Sequence, residues 1–243
     1  MKVVGADGCS GGWFTISIID FDNVNLSLFP DIYTLWKSNE NASLILVDIP
    51  IGLKDKCKEE RLCDLEARKI LGRKRAMSVF PAPCRSTLYA KDYRDACRTN
   101  KKMTARKISI QTWNIIPKIK EVDSLIIESI NARYKIKETH PEICFLAFKG
   151  KPMKYSKKIK SGFNERKELL NSIYPPTNDI IKHALNTYKR KEVKKDDILD
   201  ALIASVTAIN GINKLTCIPK NPEIDSKGIR MQIIYTKNNL KLL

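Results

Sequence analysis

Acidic residues stand in this chain at places where an acidic side chain is expensive. Asp7 closes the apolar run Lys2–Ala6 and opens the turn Gly8-Cys-Ser-Gly-Gly12. Asp48 closes Ser43-Leu-Ile-Leu-Val47, and Glu138 sits at the end of the segment 134–139. Asp197 and Asp200 lie among Ile198, Leu199, Leu202, Ile203, Val206 and Ile209. A charge in such surroundings needs a partner, because burial of an unpaired carboxylate is strongly unfavourable. Converging carboxylates form an all-oxygen donor set, which suits Mg²⁺ or Mn²⁺. A pair of such ions can activate water and stabilise the leaving oxygen of a phosphodiester. The residue types thus predict Asp7, Asp48, Glu138 and Asp200 as catalytic, with Asp197 joining them as a metal ligand. Each has a structural alternative. Asp7 fits a turn, Glu138 a surface strand end, and Asp196 and Asp197 the first turn of a helix, where the dipole favours negative charge. His140 and Glu142 stand near Glu138 and either orient a ligand or pack a turn.

The elements that must bring these groups together follow from periodicity. Residues 2–6, 13–21 and 25–29 read as three strands, the second alternating apolar and small polar residues. A short helix follows through Trp36, with Asp31 able to cap it. Residues 43–48 form a continuous apolar run, as expected of a strand buried on both faces. A helix is expected from Lys58 to Gly72, loop with short helical pieces over 78–103, and a helix over 106–129 broken at Pro117. Residues 134–139 make a fifth strand, and 149–195 read as basic and turn-rich. The clearest helix is 195–211, where Ala201, Ala204 and Ala208 permit close approach to a sheet. The order predicts an α/β fold with a mixed sheet, three antiparallel strands plus parallel ones, flanked by helices. The whole chain, 1–243, reads as a single domain with a helical insertion at 55–130.

Charge is uneven. The formal net charge is +17. Residues 68–107 carry 13 basic and 2 acidic side chains, net +11, and residues 149–195 carry 14 and 4, net +10; the remainder is 17 − 21 = −4. Two basic segments around an acidic core suggest a polyanion partner. Arg68, Arg73, Arg75 and Arg85 in the first segment either clamp phosphates or pair with Asp64 and Glu66. In the second, Lys157, Lys158 and Lys160 form the densest patch and are expected to grip a nucleic-acid backbone. The alternative is a set of solvated charges serving solubility.

Composition argues against other classes. With 43% apolar residues, wholesale disorder is not expected, and no stretch reaches the roughly 20 apolar residues of a membrane span. The first residues read as a strand, not a secretion signal, so a cytoplasmic location follows by elimination. Seven cysteines without a C-x-x-C pair give little basis for a zinc site or disulfide framework. Oligomeric state is left open, a dimer included.

The segments Asp7-Gly-Cys-Ser-Gly-Gly-Trp, Val47-Asp-Ile-Pro-Ile-Gly-Leu, Arg61-Leu-Cys-Asp-Leu-Glu-Ala-Arg, Ser78-Val-Phe-Pro-Ala-Pro, Pro117-Lys-Ile-Lys-Glu-Val-Asp, Glu138-Thr-His-Pro-Glu and Asp197-Ile-Leu-Asp-Ala-Leu resemble, in order and over nearly the whole chain, domain-of-unknown-function family 429. That family is described as predicted nucleases of the ribonuclease H fold. The ending Asp197-x-x-Asp200-Ala-Leu-x-Ala also resembles the last helix of Holliday-junction resolvases. The resemblance implies a ribonuclease H-like fold and a metal-dependent nuclease. The blocks from Cys63 to Arg85 lie outside a minimal nuclease core and could bind a specific small substrate.

Two rival functions remain. Sugar kinases and actin-like ATPases share the ribonuclease H core, and their phosphate loop is weakly similar to Asp7-Gly-Cys-Ser-Gly-Gly, which would make the chain a phosphotransferase. A nucleic-acid-binding module with structural carboxylates is the other.

Overall fold

The computed structural model describes residues 1–55 and 58–236. Cys57, and with it a small part of the expected insertion, lies outside the described residues. Three antiparallel strands, β1 (Lys2–Cys9), β2 (Gly12–Ile19) and β3 (Asn23–Phe29), are followed by α1 (Ile32–Ser38) and β4 (Leu44–Val47). Asp31 caps α1, its carboxylate accepting from the Thr34 backbone N–H at 2.7 Å. Then come α2 (Leu62–Arg75), α3 (Tyr93–Thr104), α4 (Ile110–Glu128) and α5 (Ile130–Lys135) before β5 (Ile136–Glu138). Helices α6 (Pro141–Lys149), α7 (Lys160–Ile173), α8 (Thr177–Thr187) and α9 (Lys195–Gly211) precede a hairpin of β6 (Leu215–Ile224) and β7 (Arg230–Thr236).

The main sheet has the order β3-β2-β1-β4-β5, with β1, β4 and β5 parallel. This is the mixed α/β sheet expected of a ribonuclease H-like fold. Side-chain alternation divides the core cleanly. Val3, Leu44 and Leu46 face α2 and α6–α9, whereas Val4, Ala6, Ile45 and Val47 face α1 and α3–α5. The hairpin joins the edge of β5 through one parallel bridge, Thr139 to Ile234.

Three expectations are corrected. Residues 78–103, read as loop with short helical pieces, hold most of the long helix α3: the prolines that suggested loop end at Pro83, and Asp92 caps the helix by accepting from the Asp95 N–H at 2.8 Å. Pro117 does not break α4, which runs through it; proline costs one backbone hydrogen bond, and the buried face of Ile116, Ile119 and Val122 outweighs that loss. The segment 149–195 is not mainly turns but carries α7 and α8, separated at Pro175-Pro176. Gly72 does mark a change of direction: its φ of 65° interrupts α2, after which another helical turn follows.

The contact that matters most for the site is between α9 and β1. A Cβ on Gly5 would lie 2.3 Å from the Ala201 carbonyl oxygen and 2.3 Å from the Ser205 nitrogen. Only glycine permits this approach. Ser205 Oγ accepts from the Gly5 N–H at 2.9 Å and donates to the α9 and β2 carbonyls of Ala201 and Ile16. The small residues of α9 therefore seat it directly on the strand that ends at the acidic turn.

Candidate functional site

Parallel register sets the first two carboxylates side by side. Ala6 pairs with Val47, so Asp7 and Asp48 occupy the next position of neighbouring strands, and the Asp48 N–H donates to the Ala6 carbonyl at 3.2 Å. Both line a cleft of about 150 Å³ together with Ile49, Phe80, His140 and Glu138. The seating of α9 brings Asp200 to them on the face of the sheet that they share; it is 2% exposed. Burial, then the charges of Asp200, Asp48 and Asp197, push Asp7 well above the usual carboxylate range. Burial likewise raises Asp200 to about 7, with Asp48 and Asp196 adding to the shift and Lys157 opposing it. Asp48 is raised by burial, against the pull of His140 and Lys157. These mutual effects identify Asp7, Asp48 and Asp200 as one electrostatic group.

Asp197 stands at the rim. Its Oδ2 accepts from the Lys194 N–H at 2.7 Å, a capping contact at the start of α9. Its charge nonetheless raises Asp7, so it belongs to both arrangements.

Glu138 does not join this group. Val47 pairs with Glu138, one residue before the level of Asp7 and Asp48, so its side chain leaves β5 on the opposite face and borders the cleft only at the sheet end. There both oxygens accept from Arg61, at 2.8 and 2.9 Å, and Oε2 also accepts from the Ile51 N–H at 2.6 Å. Arg61 additionally binds Asp64 through Nε at 3.1 Å and through a terminal nitrogen at 2.6 Å. Among the described residues, Cys63, Asp64 and Glu138 are the trio whose donor atoms lie within 4.8 Å of one another. Arg61 offsets one of the two carboxylate charges and donates to all four of their oxygens, so this trio has the character of a structural ion-pair network. Burial raises Glu138 to about 7 even so, and Arg61 limits the shift.

The basic residues divide in the same way. Lys157 is not part of a surface patch: its ammonium is ion-paired with Asp200, whereas Lys158 and Lys160 are exposed. Burial lowers the Lys157 ammonium, but the charges of Asp200, Asp7 and Asp48 more than offset this and hold it well above the usual lysine value. Arg85 is buried and takes no part in a phosphate surface; it makes a bidentate pair with Asp123 at 3.0 and 3.1 Å and bonds Asp225 at 2.5 Å. Arg68 pairs with Glu60 and donates to the Val79 carbonyl at 3.1 Å. Arg75 donates to the carbonyls of Met153 and Lys154, and Arg73 is exposed. Among the other exposed cations of the first basic segment, Arg94, Arg98, Lys101, Lys102 and Lys107, on α3 and just beyond it, line a shallow depression.

Sequence reasoning missed the inward turn of Lys157, the hub role of Arg61, and the α3 cations. The α3 surface was legible in principle, since Arg94, Arg98, Lys101 and Lys102 recur at helical spacing. Lys157 carried no local signal.

Two further features frame the cleft. The Ser78–Phe80 segment forms one wall, and the His140 ring Nε2 lies 3.3 Å from the Ser78 carbonyl. A second cavity of about 410 Å³ shares Arg61, Val79 and Phe80 with the cleft and extends to Asn100 and Gln111. Among the described residues no helix is long and apolar enough to cross a membrane, and the six described cysteines are unpaired thiols.

Comparison with known proteins adds the family. No curated protein and no solved structure matches the chain. The family model described as "Protein of unknown function (DUF429)" matches residues 5–224, from the β1 residue against which α9 is seated to the last residue of β6, and the chain belongs to that family.

Proposed function

We propose that the chain is a divalent-metal-dependent hydrolase that cleaves phosphodiester bonds in nucleic acid, with Asp7, Asp48 and Asp200 as its central carboxylates and Asp197 at their rim. The observation that carries this reading is an imbalance. Asp7, Asp48 and Asp200 converge with one ammonium among them, and Asp200 Oδ1 is buried without a hydrogen-bond partner. An oxygen left in that state is costly unless something further binds it. A hard Mg²⁺ or Mn²⁺ suits the donor set, and when bound it would supply a water of lowered pKa and compensate charge on the phosphate.

The chain's own residues would do the rest. Asp7 and Asp48 are carried on adjacent strand ends, which fixes their spacing without any loop rearrangement. Ile49, Pro50 and Phe80 narrow the cleft and limit the entry of water. Arg94, Arg98, Lys101 and Lys102 on α3, with Arg73, Lys158 and Lys160, offer exposed positive charge to backbone phosphates. A second reading, hydrolysis of a small phosphorylated or nucleotide substrate, is favoured by the 410 Å³ cavity beside the cleft.

The test is cleavage of labelled single- and double-stranded DNA and RNA, and of nucleotides, with Mg²⁺ or Mn²⁺. Asp7→Asn is expected to lower turnover by about 10³-fold or more with substrate affinity little changed, because the carboxylate acts mainly in the transition state. Wild-type cleavage by a carefully purified Asp7→Asn protein would remove Asp7 from the mechanism. Turnover of nucleotides but of no polymer would select the second reading.

A further inference from the structure

We infer that Lys157 is a built-in cation of the carboxylate group, occupying the place of a second metal, so that the site takes one divalent ion and not a pair. This rests on the metal-hydrolase reading above and specifies its metal content.

A lysine near carboxylates is commonly a surface side chain that has folded onto the nearest charge. The backbone around Lys157 argues otherwise. The segment that carries it, between α6 and α7, is fixed at three consecutive residues. Arg75 donates to the Met153 carbonyl at 3.0 Å and to the Lys154 carbonyl at 3.2 Å. Glu165 accepts from the N–H groups of Lys154 and Tyr155 at 2.9 and 3.0 Å. Arg166, fully buried, donates to the Tyr155 carbonyl at 3.0 Å and pairs with Glu142. The Met153 side chain is buried. At the next position, Ser156 is pressed so closely on the start of α7 that a Cβ on Gly162 would fall 1.8 Å from its carbonyl oxygen. Three side chains from α2 and α7, with the close approach at Gly162, thus hold the four positions before Lys157.

The result is selective. Lys157 turns inward to Asp200, while Lys158 and Lys160 face solvent. The ammonium occupies one oxygen of Asp200 and leaves Oδ1 unpartnered. A metal pair about 3.5–4 Å apart requires carboxylates that bridge both ions. With one oxygen taken by Lys157, Asp200 has only Oδ1 left and is not free to bridge two ions. The charges of Asp7 and Asp48 also act on the ammonium, and Oδ1 of Asp200 is the acceptor left for one further cation.

The experiment counts Mn²⁺ bound to the metal-stripped, full-length chain by electron paramagnetic resonance and equilibrium dialysis, for wild type, Lys157→Met and the control Lys158→Met. Wild type and the control are expected to bind one magnetically isolated Mn²⁺. Lys157→Met should bind a second, or bind the first about tenfold more tightly because a fixed positive charge has gone. A spin-coupled pair in wild type overturns the inference and leaves the hydrolase reading standing, and so does a Lys157→Met protein whose count and affinity match wild type. Should that variant not fold, the wild-type spectrum decides alone, isolated ion against coupled pair. No uptake by wild type ends both the inference and the reading beneath it.

Discussion

Two groups of buried carboxylates border one cleft at the end of the sheet, and they are provided for very differently. Glu138 and Asp64 share Arg61, whose planar fork donates to all four of their oxygens. Asp7, Asp48 and Asp200 share Lys157, which reaches Asp200 and leaves its second oxygen without a donor. Arginine matches carboxylates in geometry as well as charge, whereas lysine is a point charge with three donors. The first group is a closed network. The second is open: it leaves Asp200 Oδ1 free, and the proposed cation site rests on that oxygen. The same contrast holds for the other family segments. Glu121 accepts from Trp13 Nε1 at 2.7 Å and from the Ile32 N–H at 3.1 Å, and Asp123 is taken by Arg85. Both carboxylates have defined structural partners.

If this contrast is right, breaking each group should damage a different property. Arg61→Met leaves Glu138 and Asp64 buried without their partner, and a loss of about 3–5 kcal/mol is expected from such an uncompensated pair. Arg61→Lys should recover little of it. Chemical denaturation of the variants measures this directly, and a loss within error of zero would deny Arg61 its bracing role. Asp48→Asn in the open group should have the opposite sign. It relieves repulsion in the metal-free protein, so stability should hold or rise while activity is lost.

Proton linkage offers a finer comparison. Asp200 and Glu138 both titrate near pH 7 in the folded chain, above the ordinary carboxylate range. Between about pH 4 and 7 the folded state therefore retains protons that the unfolded chain has released. The stability of the metal-free protein should fall as pH rises through this window, by no more than about 1.4 kcal/mol per pH unit for each group. Asp200→Asn should flatten the decline, and divalent metal should reverse it in the wild type by binding the ionised form. Stability that rises from pH 4 to 7 without metal would contradict the shifts.

How far the sequence revealed this arrangement depends on the range of the interaction. Strand ends and the α9 helix were legible because apolar periodicity is local, and Asp7, Asp48 and Asp200 were legible because each interrupts such a pattern. Glu138 satisfied the same rule, yet one position of register sent it to the other face, which no single-strand pattern can show. Arg85 and Lys157 read as surface cations because their partners are remote in sequence: Asp225 for one, Asp200 for the other. The C-terminal hairpin drew no expectation, since its strands offer only short and irregular alternation around Pro219 and Pro222.

The smallest effect concerns the exposed cations. Lys158 and Lys160 remain candidates for backbone contact, Lys157 does not. Changing Lys158 and Lys160 to Gln should flatten the log–log salt dependence of duplex binding by about 2 units if each meets one phosphate. Arg94, Lys101 and Lys102 changed together should flatten it by about 3. An unchanged slope in both sets would place the nucleic-acid surface elsewhere.

The central claim is that the open group holds a divalent cation, and calorimetric titration of Mn²⁺ into metal-stripped protein tests it most directly. Wild type should take up the ion with a measurable heat and gain thermal stability, while an Asp7→Asn, Asp48→Asn double variant, folded by circular dichroism, should do neither. Equal uptake by the two proteins, or none by wild type, would contradict the account.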